Sequence, residues 1–291
     1  MIHQLVAGKL QVDYVTVPIA ALPQRLAGLR IVHLSDFHFD GLRLGVKLLR
    51  ETIAQANAFA PDLVALTGDF VTHEPEPILE LAPYLGQLRA KVGIFAVLGN
   101  HDLELPHSRE LITKTLTRWG LQVLENAVVY PWGEELAIVG LGDYWSDLFL
   151  PQQVLPSIPP HIPRLVLSHN PDTAAVLQKW RVDLQLSGHT HGGQIVLPHL
   201  GPIMAYARRL RLSMPRSVRK LLWRSTHEVV KHWEWAQGLH RIGQNWLYVN
   251  RGLGTYLPGR LNCPPELTCI TLIPADAGIE SIPHLAVAKS A

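Results

Sequence analysis

Only two cysteines, Cys263 and Cys269, occur in 291 residues. That is too few for a disulfide framework or a four-thiolate zinc site, and leaves at most one bridge between them. No apolar run approaches the roughly 18 to 20 residues that cross a bilayer, and the N-terminus carries no basic-then-apolar export pattern, so the default expectation is a cytoplasmic protein. Charge is also scarce: Asp, Glu, Lys and Arg make up 17% of the chain and nearly cancel, leaving +2. This excludes a global attraction to polyanions and makes any basic partner surface a local one. What is abundant is apolar, 47% of residues, which suits one folded unit with a large core.

The densest polar motif is Leu186-Ser187-Gly188-His189-Thr190-His191-Gly192-Gly193-Gln194, with two imidazoles two residues apart at the end of an apolar run. In an extended segment residues i and i+2 point to the same side, and flanking glycines let the backbone pass close to whatever the rings hold. Alone, such a pair is more often two hydrogen-bonded histidines than a ligand pair. Four other strand-like runs end in the same way. Leu29 to Ser35 delivers Asp36-Phe37-His38, and Leu63 to Leu66 delivers Thr67-Gly68-Asp69. Ile94 to Leu98 delivers Gly99-Asn100-His101-Asp102, and Leu165 to Ser168 delivers His169-Asn170-Pro171. His33, inside the first run, reads as a packed core residue.

Between these runs, Val46 to Phe59 and Pro77 to Ala90 repeat apolar positions at helical spacing. Alternating strand, helix and strand predicts an α/β fold with a mostly parallel sheet, in which functional groups gather beyond the carboxyl ends of the strands. Val12 to Ile19 reads as an edge strand leading in. Val123 to Tyr130 and Glu135 to Val139 read as a hairpin opening a second sheet, and Trp246 to Val249 and Leu267 to Ile273 as late strands completing it.

Buried carboxylates and imidazoles cost several kcal/mol each unless paired or metal-bound, so a shared cation site explains five such clusters together. Asp36, His38, Asp69, Asn100, His169, His189 and His191 form a mixed oxygen and nitrogen set without thiolate, which suits manganese, iron or zinc. Seven ligands exceed one open catalytic ion and suit two divalent ions sharing a bridging carboxylate. Two such ions neutralise phosphate oxygens and lower the pKa of a bound water, giving hydroxide for in-line attack on phosphorus. His101 is the candidate general acid and Asp102 the group that orients its ring. Arg251 is a candidate phosphate contact, with a surface ion pair as the equal alternative.

The ordered series D-x-H, G-D, G-N-H-D, H and G-H-x-H, over residues 29–194, resembles the calcineurin-like metallophosphoesterase superfamily. Leu167-Ser168-His169-Asn170-Pro171-Asp172, Arg251-Gly252-Leu253-Gly254 and Pro264-Pro265-Glu266 resemble its bacterial branch of phosphodiesterases similar to YkuE and YaeI, which extends the likeness to about residue 273. The resemblance implies a four-layer α/β/β/α sandwich with two central mixed sheets and a dinuclear centre at one end. Asp36, His38 and His191 would hold one metal, Asn100, His169 and His189 the other, and Asp69 would bridge. A lead-in at 1–28, a phosphoesterase domain at 29–275 with a basic insert at about 201–240, and a tail at 276–291 follow as the expected organisation.

Phe37, Phe39 and Asp40 stand where leucine, leucine and a small residue are common in that family. The export signal or membrane anchor of many relatives in the branch is not seen, so a secreted location is not carried over. Residues 201–231 hold Arg208, Arg209, Arg211, Arg216, Arg219, Lys220, Arg224 and Lys231 against Glu228, eight positive charges minus one negative, or +7. Interleaved apolar residues such as Leu210, Leu212 and Trp223 make residues 205–224 a candidate surface for an anionic membrane or an amphipathic phosphate substrate. A solvated cap is the plain alternative, and nucleic acid fits less well because no base-stacking platform is evident. Three functions are carried: a metal-dependent phosphodiesterase or pyrophosphohydrolase; an enzyme similar to UDP-2,3-diacylglucosamine pyrophosphohydrolase acting on a lipid-linked substrate; and a catalytically inactive metal-binding scaffold. The intact Asn100 and His101 count against the last. Metal identity and oligomeric state carry no sequence signal.

Overall fold

The computed structural model describes residues 2–213 and 230–275. After a short helix α1 (Ile2–Leu5), two six-stranded sheets form the centre. The first runs in the order β1 (Gln11–Ile19), β14 (Glu266–Pro274), β2 (Leu29–Leu34), β3 (Leu63–Leu66), β4 (Gly93–Ala96) and β5 (Leu121–Val123). The second runs β12 (Gly238–Ile242), β13 (Asn245–Val249), β9 (Leu184–Ser187), β8 (Arg164–Leu167), β7 (Ala137–Gly140) and β6 (Ala127–Val129). Both are mixed: β14 is antiparallel to β2, and β12 and β6 are antiparallel to β13 and β7. A small hairpin of β10 (Val196–Leu197) and β11 (Gly201–Pro202) follows the G-H-x-H segment.

The period of two in the strands divides the core into layers. In β3, Leu63 and Ala65 face the second sheet while Val64 and Leu66 face helices. Leu165 and Leu167 of β8 return the inter-sheet contact, and Val166 faces the opposite way. Helices α2 (Val46–Ala58), α3 (Ile78–Leu85) and α4 (Ser108–Arg118) cover the first sheet, using Leu49, Ile53, Leu81, Leu85, Ile112 and Leu116. On the second sheet, α5 (Pro151–Val154) and α6 (Thr173–Leu177) contribute Val154 and Leu177. This is the expected four-layer α/β/β/α arrangement with two central mixed sheets.

Two sequence expectations change. Only the second half of the Val123 to Tyr130 run is the expected hairpin arm: β5 ends the first sheet, and β6 opens the second by pairing antiparallel with β7. The chain crosses at Asn126, whose φ is 48° and whose amide group bonds Leu148, Leu150 and Gly142. Residues from Glu125 to Tyr130 are all partly buried, so no change of burial marks the crossing between the two strands. The last strand also changes sheets. β14 lies inside the first sheet, parallel to β1 and antiparallel to β2, while β13 alone of the two late runs joins the second. β14 is buried along most of its length on both faces, and burial does not say which sheet holds it. Helix α4 and strand β12 carry weak apolar periodicity and were not expected. Cys263 and Cys269 are buried and free, so no bridge joins them. No helix among the described residues is long and apolar enough to cross a membrane.

Candidate metal centre

Strands of both sheets end at one edge, and their end residues converge there. Asp36 and His38 follow β2, Asp69 follows β3, Asn100 and His101 follow β4, His169 follows β8, and His189 and His191 follow β9. Asp36, His38, Asp69, His189 and His191 all have left-handed backbone, with φ between 43° and 69°. Non-glycine residues persist there when their surroundings over-determine them, as at functional sites. The surroundings do so here. Asp36 N–H donates to Gly68 O at 2.9 Å, His38 N–H to Asp69 O at 3.0 Å, and His189 N–H to both oxygens of Asp36 at 3.0 Å. Two glycines permit the close approach: a Cβ on Gly99 would lie 2.2 Å from Asp69 Oδ1, and one on Gly188 would lie 1.9 Å from Ser35 Oγ.

The side chains form two linked groups, Asp36 with His38 and His191, and Asp69 with His169 and His189. Asp69 Oδ2 joins them, 3.5 Å from His38 Nε2 and 3.1 Å from His169 Nε2. His38 Nε2 and His191 Nε2 face each other at 3.0 Å, and His191 Nε2 lies 3.4 Å from Asp36 Oδ1. Carbonyl oxygens fix two of the tautomers, because a carbonyl only accepts. His169 Nδ1–H donates to Thr67 O at 2.6 Å and His191 Nδ1–H to Gly254 O at 3.3 Å, so each turns Nε2 inward, where it offers a lone pair whenever that nitrogen is unprotonated. Asn100 Oδ1 is buried with no hydrogen-bond partner among the described residues.

Burial dominates the electrostatics. It raises Asp36 to about 6 and lowers His38 to about 3, so that imidazole is neutral at neutral pH. Burial opposes charge on His169 too, but the Asp69 carboxylate overrides it and pushes His169 up to about 10. Asp69 in turn is held well below the usual carboxylate range by His169, against the effect of burial. Converging imidazole lone pairs, carboxylates and an orphaned amide oxygen balanced by a retained proton are the donor set that a cation fits.

His101 lies at the mouth, its N–H donating to Asp69 Oδ1 at 3.0 Å and its ring 4.9 Å from that of His38. Its partners differ from expectation. Nδ1–H reaches Thr72 O at 2.6 Å and Glu104 Oε1 at 2.7 Å. Asp102 instead accepts the N–H groups of Phe70, Val71 and Gly99 and so braces the loops around the ligands. Adjacent residues in a helical turn do not face each other, whereas i and i+3 do, which gives the ring to Glu104. Burial and then the Asp69 charge raise Asp102 to about 7. Arg251 is in an ion pair, but a largely buried one rather than the surface pair expected: its guanidinium bonds Asp13 at 2.7 Å and lies 3.1 Å from the fully buried Glu266. His33 is packed in the core, its Nε2 2.8 Å from Thr67 Oγ1.

Several site residues carried no sequence signal. Thr72 and Glu104 hold His101, and Tyr256 places its hydroxyl 3.1 Å from His38 Nδ1. Their partners are mostly remote in the chain, 218 residues away for Tyr256, which no local pattern records. Phe37, unusual at its position, stacks on Phe70 with both rings buried, and Asp40 binds Arg43 and Thr72.

Residues 29–193 match the family described as calcineurin-like phosphoesterase. The chain is 30% identical over 259 residues to phosphodiesterase YaeI of Escherichia coli, with 88% of this chain and 86% of the relative covered. It is 31% identical over 300 residues to the UDP-2,3-diacylglucosamine pyrophosphatase LpxG of Chlamydia muridarum, covering 86% and 85%. An uncharacterized metallophosphoesterase of Bacillus subtilis, YkuE, is 29% identical over 266 residues, covering 88% and 83%.

Proposed function

The chain belongs to the calcineurin-like phosphoesterase family and is a hydrolase of that family, and from that premise we propose a dinuclear phosphodiesterase or pyrophosphohydrolase spanning residues 29–275. Asp36, His38 and His191 would hold one divalent ion, Asn100, His169 and His189 would hold the other, and Asp69 would serve both. The observation that carries this reading is the position of Asp69 Oδ2, 3.5 Å from one group's imidazole and 3.1 Å from the other's. Bound divalent ions supply Lewis acidity that neutralises phosphate oxygens and lowers the pKa of water. The chain's own residues do the rest. Thr72 O and the Glu104 carboxylate hold His101 Nδ1–H, so a proton given to the leaving oxygen comes from Nε2–H of the imidazolium form, which returns to the neutral Nδ1–H tautomer. Asp102 holds the Gly99 and Phe70 loops in register around it. The oxygen and nitrogen donors suit manganese, iron or zinc, and donor type does not choose among the three.

The substrate proposed is lipid-linked. The two relatives named for their reactions act on phosphodiesters and on UDP-2,3-diacylglucosamine. Past the β10–β11 hairpin, helix α7 (Ile203–Ser213) has no buried side chain, and Met204, Tyr206, Leu210 and Leu212 are exposed. The loop after Tyr256 exposes Leu257 and Leu261 and joins the β10 segment through Val196 N–H to Leu261 O at 3.0 Å. An apolar rim of this kind suits acyl chains or peripheral attachment to an anionic membrane. The sequence-based surface at 205–224 extends beyond Ser213 into residues outside the described ones.

The test is hydrolysis of an aryl phosphodiester and of UDP-2,3-diacylglucosamine with added manganese, together with metal content. Asp69→Ala is expected to lose both ions. His101→Ala is expected to keep them while kcat falls by about 100-fold or more. Two ions retained in Asp69→Ala would remove the shared carboxylate. A metal-loaded wild type inert on every diester and anhydride would favour the scaffold.

A further inference from the structure

Among the histidines of the centre, His38 has an unusual outer partner. The Nδ1–H groups of His169 and His191 end on backbone carbonyls, which have no hydrogen to give. His38 Nδ1 instead meets the hydroxyl of Tyr256 at 3.1 Å. Its Nε2 is turned inward, 3.0 Å from His191 Nε2 and 3.5 Å from Asp69 Oδ2. A ring that offers an Nε2 lone pair to the centre carries its hydrogen on Nδ1, so Tyr256 Oη accepts that hydrogen. The phenolic hydrogen is then left over. Among the described residues the hydroxyl has no other hydrogen-bond partner.

The ring is held where that hydrogen is useful. It packs 5.0 Å from the His38 ring and 5.4 Å from the His191 ring, while the Arg43 guanidinium covers it at 4.4 Å. Tyr256 N–H donates to Gln194 Oε1 at 2.7 Å, which ties the residue to the segment carrying His191. Tyr256 is half-buried, so it is not sealed from solvent.

We propose that Tyr256 is a substrate-contacting residue, its hydroxyl accepting from His38 Nδ1–H and donating its own hydrogen to an oxygen of the phosphate group. This rests on the phosphoesterase reading above and adds a donor to it. A carbonyl in the same place would orient His38 equally well but could not contact an anion.

The test compares wild type with Tyr256→Phe, using calorimetric binding of inorganic phosphate at manganese concentrations that saturate each protein, with ion content measured in the same samples. Tyr256→Phe is expected to carry two ions, to bind phosphate about tenfold more weakly, and to show a raised KM for an aryl diester. A purely orienting role predicts weaker manganese binding and unchanged phosphate affinity once the ions are saturated, and that result would overturn the proposal. If wild type binds phosphate and Tyr256→Phe binds it equally well, Tyr256 alone is wrongly assigned. If ion-loaded wild type binds no phosphate at all, the phosphoesterase reading falls and this inference with it.

Discussion

The strand-end centre and helix α7 are separated only by the β10–β11 hairpin, yet they obey opposite rules. At the centre, five non-glycine residues hold left-handed backbone, each at a cost on the order of 1 to 3 kcal/mol. Donors from neighbouring loops pin them, and the sheets exclude water around them. In α7 the polarity is turned inside out. Ala205, Arg208 and Arg211 are the partly covered positions, while Met204, Tyr206, Leu210 and Leu212 face outward. The contrast separates two requirements. Holding converging ligands in strained conformations needs a closed frame, whereas selecting an amphipathic substrate needs apolar surface left open.

The sharpest way to break the frame is Gly188→Ala, whose Cβ would sit 1.9 Å from Ser35 Oγ and 2.2 Å from Asp36 Oδ2. The Asp36 carboxylate has to move. We expect loss of at least one ion per chain, a fall in diester hydrolysis of roughly 100-fold, and destabilisation of about 1 to 3 kcal/mol. Arg209→Ala, on the open helix, should change stability by no more than about 0.5 kcal/mol. Metal analysis and denaturant unfolding of the two variants test the contrast. Equal behaviour would mean that the frame yields as readily as the helix.

A second effect, graded with pH and absent at neutrality, is expected from acid. Burial lowers His33 to about 3, against 6.5 for an ordinary histidine. Its unfolded state therefore binds a proton below pH 6.5 that the folded state refuses, so its contribution to stability is complete above pH 6.5 and is lost as pH falls from 6.5 toward 3. The loss is up to about 1.4 kcal/mol for each pH unit in that window. His33→Gln removes this titration while keeping a donor for Thr67. Unfolding free energies of wild type and His33→Gln should converge on acidification, and parallel curves from pH 7 to pH 4 would show that His33 is not held neutral.

These residues also show where sequence reading works. Asp36, Asp69, Asn100, His169 and His189 were legible because each follows an apolar strand, and strand ends of two sheets share one edge by topology. His33 was legible as core because it interrupts a strand from within. Sheet membership of β14 was not, since a strand buried on both faces carries no mark of its neighbours. The partners of His101 and His38 were hidden for a different reason: Thr72 and Tyr256 are 29 and 218 residues distant, and a hydrogen bond across the fold leaves no periodicity in either segment. Helix α7 was half legible. Its composition announced a basic and apolar surface, but two of its three arginines turn toward the body, which shifts weight from charge to apolar contact.

That shift gives the last prediction, on the open side of the contrast. If α7 meets a membrane, its outward residues do so, and these are mainly apolar, with Leu210 57% and Leu212 47% exposed. Burying one leucine side chain contributes about 1.5 to 3 kcal/mol, while one basic side chain near an anionic surface contributes about 1 kcal/mol before ordering costs. Leu210→Gln with Leu212→Gln should therefore weaken co-sedimentation with anionic vesicles more than Arg209→Glu does. Added salt should weaken wild-type binding without abolishing it. Activity on a small aryl diester should stay unchanged in both variants, because neither touches the strand-end frame. If Arg209→Glu proves the more damaging, the attachment is electrostatic and the outward leucines are bystanders. If wild type does not sediment with anionic vesicles at low salt, the apolar rim serves as a lid or an acyl-chain rest on the enzyme itself.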